Sequence, residues 1–237
     1  MTTEQARSFH HAAREYERGR PGWPPAVLDL LPLGSDATVL DLGAGTGKLT
    51  RVLAQRYARV VAVEPLDELR AILAAEVPRA DVRAGAAEAI PLADGEVDGV
   101  FAAQAFHWFA NDGAVREIAR VLRVGGVLAL LWNESADPSP LPRAYRERLS
   151  ELHDAMRPER IDEDVLARSG LFAEEVEETV EHEQVSSRDE VLAFAASVSW
   201  IANRDDRDDV LRELATLLPK RTYRFPLRAN LAWTRRI

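Results

Sequence analysis

From residue 38 onward, short apolar runs alternate with stretches in which apolar residues recur every three or four positions, as expected for strands alternating with amphipathic helices. Strands are predicted at 38–42, 60–64, 81–84, 99–103 and 127–133. Between them Leu49, Val52, Leu53 and Tyr57 share one helical face, as do Leu69, Ile72, Leu73 and Val77, and then Val115, Ile118, Ala119 and Leu122. The order is β-α-β-α-β, then β-α-β. Parallel strands joined by right-handed helical crossovers make a doubly wound α/β sheet the simplest architecture.

The texture changes after Asn133. Asp137-Pro-Ser-Pro-Leu-Pro142 is a stiff, non-helical connector. Leu141, Tyr145, Leu149, Leu152 and Met156 follow at helical spacing, which predicts an inserted helix that either packs into the core or covers the sheet's carboxyl edge. Val176, Glu178, Val180 and His182 alternate with Glu175, Glu177, Thr179 and Glu181, a half-exposed strand near 174–184. Helices are predicted at about 189–202 and 206–218. The closing stretch, 222–237, is rich in strand formers, and its Pro226 suits an edge strand or a bulge.

Composition narrows the class. The 237 residues suit one large domain or a core with an elaboration, and 46% hydrophobic with 29% charged residues is ordinary globular usage. No apolar run reaches the roughly 18 residues of a membrane span. The polar start, MTTEQARSFHHAAREYERGR, has the pattern of neither a secretory signal nor an organelle address, so a cytoplasmic location is expected. The absence of cysteine excludes disulfides, thiolate metal sites and a Cys nucleophile. A net charge of −9 disfavours a nucleic-acid partner, whose phosphates must be neutralised by Lys and Arg. Residues 159–190 hold twelve acids and three bases, whereas the tail from Lys220 holds six bases and no acid. The two charged stretches are read as solvated faces of two strands that attract each other across a sheet.

The most informative segment is Val39-Leu-Asp-Leu-Gly-Ala-Gly-Thr-Gly-Lys-Leu-Thr50, a strand running through a Gly-x-Gly-x-Gly turn into a helix. Glycines allow a sharp turn and close approach to a ligand, and the free N–H groups at a helix start offer donors. Glu64 stands 23 residues after Asp41, at the end of the next strand, where a carboxylate can accept both hydroxyls of a ribose. Together these read as an adenosine-cofactor pocket. Lys48 is not in a Walker frame. Dinucleotide binding is not excluded by geometry, although its fingerprint places the third glycine one residue later.

These residues resemble motif I of the class I S-adenosylmethionine-dependent methyltransferases. Four further segments match in order: Val60-Val-Ala-Val-Glu-Pro65; Arg83-Ala-Gly-Ala-Ala-Glu-Ala-Ile-Pro-Leu92; Asp98-Gly-Val-Phe-Ala-Ala-Gln-Ala-Phe-His-Trp-Phe109; and Leu122-Arg-Val-Gly-Gly-Val-Leu-Ala-Leu130. The resemblance implies a Rossmann-like, seven-stranded, mostly parallel sheet with helices on both faces and an antiparallel last strand. It implies a single methyltransferase domain over 1–237 with its cofactor-binding core at 35–134 and the last two strands and inserted helices at 135–237. Gly43, Ala44, Gly45 and Gly47 would approach the methionine part of S-adenosylmethionine. Glu64 would take the ribose hydroxyls, and Pro65 or Leu66 would pack on adenine. Ala87 and Glu88 would read the adenine edge, with Ala86 nearby. Gln104 and Ala105 would face the methionyl amino group and the methyl, and Asp41 would order the glycine turn or bind through water.

The leader Tyr16-Glu-Arg-Gly-Arg-Pro-Gly-Trp-Pro-Pro25 resembles that of small-molecule methyltransferases related to trans-aconitate and ubiquinone-pathway enzymes, in which it lies across the cofactor cleft. By that resemblance Tyr16 would contact the methionine end and Arg20 its carboxylate; alternatively Tyr16 and Trp23 simply anchor the terminus. Residues 1–30, 136–160 and 186–218 would cover the cleft and choose a small-molecule acceptor, with S-adenosylhomocysteine as product.

Methyl transfer from a sulfonium needs positioning more than it needs a metal. A base helps only when the acceptor must lose a proton, and His107 is the candidate, either as base or, with Phe106 and Trp108, as part of an aromatic wall. Trp132 and Asn133 are candidate acceptor contacts at the end of the fifth strand. His10 and His11 are adjacent and His153 and His182 isolated, so no metal-ligand spacing is read. A nicotinamide-dependent oxidoreductase and a non-catalytic adenosine-binding protein remain rival readings, as does a protein or RNA methyltransferase, although the sequence has no basic face and Gln104-Ala-Phe-His107 stands where an Asn-Pro-Pro-Tyr-like motif would.

Overall fold

The structure, a computed structural model, describes residues 13–136, 138–154 and 164–237. His10, His11 and Met156 lie outside the described residues, as do positions 159–163 of the acidic stretch. Seven strands form one sheet in the order β3-β2-β1-β4-β5-β7-β6. They are β1 (Thr38–Leu42), β2 (Arg59–Glu64), β3 (Asp81–Ala84), β4 (Val97–Ala103), β5 (Leu122–Ser135), β6 (Val176–Ser187) and β7 (Thr222–Arg235). β1 to β5 are parallel. β7 runs antiparallel to β5: the Arg236 N–H donates to Gly126 O at 2.9 Å near one end, and the Ala136 N–H to Pro226 O at 2.8 Å near the other.

The described helices are α1 (13–19), α2 (Lys48–Arg56), α3 (Asp67–Glu76), α4 (Asp112–Val121), α5 (Arg143–Asp154), α6 (Val165–Ser169), α7 (Arg188–Ser197), α8 (Ser199–Ala202) and α9 (Arg207–Thr216). The chain divides into two compact units. The smaller holds the described parts of Met1–Gly22, Ser135–Arg160 and Glu181–Leu227; the larger holds Trp23–Glu134, the described part of Ile161–Val180, and Arg228–Ile237.

In the larger unit, alternation along the strands sends neighbouring residues to opposite faces, and both faces are covered. Leu40, Val61, Val100, Leu128 and Leu130 pack with Val115, Ile118 and Ala119 of α4. Val39, Val60, Phe101, Val127 and Leu131 pack with Leu49 and Leu53 of α2 and with Val27 and Leu28 of a short 3-10 segment. Fully burying each such side chain stabilises the fold by about 1.5–3 kcal/mol. These near-continuous apolar strands are what a doubly covered parallel sheet requires.

In the smaller unit, Tyr145 and Leu152 of α5, Val191 of α7, Ile201 of α8, Val210 and Leu214 of α9 and Tyr223 of β7 share a core. The apolar stripe of α5 is therefore spent on core packing. Ser187 and Glu190 form a reciprocal capping box that starts α7.

Three expectations change. The helix predicted at 189–202 breaks at Val198, whose φ −79° and ψ 136° are extended. β5 begins five residues early, at Leu122. β7 is interior rather than an edge, because β6 lies outside it. Pro226 is tolerated near the start of β7, where its carbonyl accepts from Ala136. The acidic β6 and basic β7 are neighbours, with an Arg224–Glu183 ion pair at 2.6 Å. Among the described residues no helix is long and apolar enough to cross a membrane.

Candidate functional site

β1 has β2 on one side and β4 on the other, so the chain reverses its direction of winding between β1 and β4. In open α/β sheets, ligands sit beyond the strand carboxyl ends at this reversal. The glycine turn leaves β1 there. Gly43, Gly45 and Gly47 have φ of 70°, 58° and 90°, left-handed values that side chains rarely adopt. The Val63 carbonyl accepts from the Gly43 and Ala44 amides at 2.9 and 3.1 Å, tying the turn to β2. A β-carbon on Gly43 would stand 2.9 Å from Ala105 Cβ, and one on Gly47 would stand 2.4 Å from Leu73 Cδ1. Only bare main chain fits at these two positions.

Two buried acids flank the turn. Asp41 accepts a 2.6 Å hydrogen bond from Thr50 Oγ1. Burial pushes its pKa up to about 7, with Thr50 opposing the rise and the Glu64 charge adding to it. Glu64 Oε2 accepts from the Gly45 amide at 2.9 Å and Oε1 from the Leu66 amide at 3.0 Å. Burial raises the Glu64 pKa too, against the lowering effect of both amides and of Arg70. Arg70 donates to the Glu64 and Pro65 carbonyls at 2.9 and 2.8 Å, holding the backbone before Leu66. The second-strand acid is thus aimed at the glycine turn. Each of its oxygens accepts one amide and keeps a lone pair, so a vicinal diol with two O–H donors matches it.

Past β3, Ala86 and Ala89 form an antiparallel bridge and Ala87 is buried. Glu88 Oε1 accepts from Asn111 Nδ2 at 2.9 Å. The segment is braced from α4: Glu117 accepts from the Ile90 amide at 2.9 Å, and Arg120 donates to the Leu92 and Ile90 carbonyls at 2.8 and 3.0 Å. Sequence reading missed Asn111, Glu117 and Arg120. A helix-start signal, Asn111-Asp112 before an apolar periodic run, was present for the first of them.

β4 is followed by Gln104, whose φ of 53° is the one positive value among the described non-glycine residues. Its amide donates to Leu131 O at 2.9 Å and its Nε2 to Asn133 O at 3.0 Å, which joins the ends of β4 and β5. Ala105 is buried against the glycine turn. His107 and Trp108, both half-buried, have ring centroids 4.7 Å apart, while Phe106 and Phe109 meet edge to face at 5.7 Å. Trp132 and Phe109 pack against the core that holds Phe106. Tyr16 and Arg20 belong to the smaller unit, where the Arg20 guanidinium lies 5.1 Å from the Tyr16 ring centroid and 4.9 Å from that of Phe194, and Nε donates to Ser197 Oγ at 3.2 Å. Trp23 is buried in the core of the larger unit. No group of three acidic or histidine side chains able to hold a metal occurs among the described residues.

Residues 40–130 match the profile of a family described as a methyltransferase domain. The matched stretch runs from within β1 to within β5 and holds both the glycine turn and Glu64. The chain is 51% identical over 126 residues to an uncharacterized methyltransferase of Mycobacterium tuberculosis, a match covering 53% of this chain and 52% of the relative. The chain thus spans about half the length of that relative. A solved structure from Anaeromyxobacter dehalogenans, provisionally named a type II methyltransferase, superposes with a TM-score of 0.64 at 26% identity, over 92% of this chain and 97% of that one. Geranyl diphosphate methyltransferase, solved in complex with S-adenosylmethionine, shares the fold at 15% identity with a TM-score of 0.53, over 98% of this chain and 90% of that one.

Proposed function

We propose that the chain transfers a methyl group from S-adenosylmethionine to a small-molecule acceptor. The observation that carries this reading is the buried Glu64 carboxylate, hydrogen-bonded to Gly45 within the glycine turn and to Leu66 beside it. The match of residues 40–130 to a methyltransferase-domain profile supports it, and the fold is one that holds S-adenosylmethionine in geranyl diphosphate methyltransferase. The net charge of −9 supports a small acceptor over a polyanion.

When bound, S-adenosylmethionine supplies a methyl carbon attached to a cationic sulfur, so transfer to a nucleophile breaks that bond and releases a neutral thioether. The protein's part is to bind and orient. Glu64 accepts the ribose hydroxyls, and Gly43, Ala44, Gly45 and Gly47 bring main chain against the methionine portion. Pro65 or Leu66 packs on adenine, and Ala87 and Glu88 read its edge, with Ala86 nearby. Asp41 orders the turn through Thr50. Gln104 and Ala105 border the methionyl amino group and the methyl. Holding donor and acceptor in line supplies much of the acceleration, and an aromatic surround excludes water. His107 holds or accepts the acceptor's proton where the acceptor is a hydroxyl or amine, and Trp108, Trp132 and Asn133 contact the acceptor.

Label transfer from methyl-labelled S-adenosylmethionine to a panel of small carboxylic acids, phenols and amines tests this reading. Labelled product is expected with the native chain, and where the acceptor is a phenol or an amine, His107→Ala is expected to lower the rate at least about tenfold at unchanged cofactor affinity. Labelling of protein or RNA alone, or reduction of a substrate with NADH in its place, would contradict it.

A further inference from the structure

We propose that Asn111 is a positioning residue that makes the site selective for adenine, by holding Glu88 ready to accept from the exocyclic amine of the base. The inference rests on the reading of this site as one for an adenosyl cofactor and adds how the base is recognised.

Its basis is the two-sided use of one side chain. Asn111 is the N-cap of α4: its Oδ1 accepts from the Ala114 amide at 3.0 Å. Its Nδ2 donates to Glu88 Oε1 at 2.9 Å. With the oxygen committed to the helix, the amide cannot flip without losing the cap, so the donor is kept pointed at Glu88. Gly113 leaves room for this. A β-carbon there would stand 3.1 Å from Asn111 Oδ1 and 3.6 Å from Glu88 Cγ. The Glu88 stem thus lies over the first turn of α4, where an anion is favoured.

The topology carries Glu88 beyond the carboxyl end of β3, on the same sheet edge at which Glu64 ends β2. Ala84, the last residue of β3, pairs with Glu64 in register, and Glu88 follows four residues later. The residues just after Glu88 are fixed by Glu117 and Arg120, which bond Ile90 and Leu92. An unheld glutamate on the surface samples several rotamers, and ordering it on binding costs affinity. A glutamate with one oxygen tied by Asn111 presents the other. A carboxylate is an acceptor only, so it matches the amine of adenine and opposes the 6-oxo group of hypoxanthine. A site that hydrogen-bonds one group rejects the analogue lacking it.

Calorimetric titration with S-adenosylhomocysteine and S-inosylhomocysteine tests the proposal, using the native chain, Asn111→Ser and Glu88→Ala. Serine retains the cap but has no donor that reaches Glu88 from the capping geometry, so melting temperature stays near the native value. The native chain is expected to prefer the adenosyl ligand by about tenfold or more, the scale of one hydrogen bond to a charged group. Asn111→Ser is expected to lose most of that preference through weaker adenosyl binding, and adding Glu88→Ala to it should change the preference no further, because the two act as one unit. An undiminished preference in Asn111→Ser, or no preference in the native chain, would overturn the proposal while leaving the methyl-donor reading intact. Failure of the native chain to bind either ligand would overturn both.

Discussion

Asp41 carries the largest electrostatic consequence of any single residue in the site. Its pKa rises from an ordinary 3.8 to about 7 in the folded chain because burial disfavours the charged form. Between those values the folded state holds a proton that the unfolded state has released. The stabilisation is therefore complete below about pH 4 and is lost as pH rises through about 7, a change of up to about 4 kcal/mol. Thermal melts of the native chain and Asp41→Asn between pH 4 and 8 should show the native chain losing ground to the variant as pH rises; parallel curves would refute the buried, proton-binding acid. Gln104 makes a second, conformational prediction. Its left-handed backbone costs about 1 kcal/mol for any residue with a β-carbon, and its side chain recovers part of this through Asn133. Gln104→Ala keeps the strain and loses the bond, so it should melt below the native chain, whereas Gln104→Gly should melt close to it. Equal melting of the two variants would show that strain is not the determinant.

At the scale of elements, what the apolar pattern could locate depended on whether each element buries its face locally. β1 and β3 occupy the predicted 38–42 and 81–84 because their ends are marked by glycine, charge or a turn. Leu122 continues the apolar period of α4 but begins β5, since the pattern records burial and Leu122 is buried in either conformation. β5 then crosses the exposed Arg123-Val-Gly125 and the buried Gly126, a glycine-rich stretch that looks like a turn; its pairing of Val97 with Leu122 ahead of a register shift is a non-local event. The interior position of β7 is of the same kind. The site divides along the same line. The glycine turn and Glu64 were legible because three alternate glycines directly follow one strand and a carboxylate ends the next, at set positions relative to the strand ends. The brace from Glu117 and Arg120 to residues 90–92 was not, because exposed charges on a helix are common and only the fold reveals which carbonyls they reach.

At the scale of the molecule, the doubly wound sheet creates a ligand edge where winding reverses between β1 and β4, and residues 40–130, which match a methyltransferase-domain profile, span it. The acidic outer strand β6 lies beside the basic β7, with Arg224 and Glu183 paired between them. Such exposed pairs contribute roughly 0–1 kcal/mol, so the sheet's cohesion rests on its two apolar faces. The proposed function requires that the main chain of the glycine turn at Gly43–Gly47 and the Glu64 carboxylate together bind an adenosyl sulfonium or its thioether product. Isothermal titration with S-adenosylhomocysteine, comparing the native chain with Glu64→Gln, addresses it most directly. One-to-one binding by the native chain, weakened at least about tenfold in a variant that melts like the parent, is the predicted result. No heat with the native chain, or an affinity indifferent to Glu64→Gln, would contradict it.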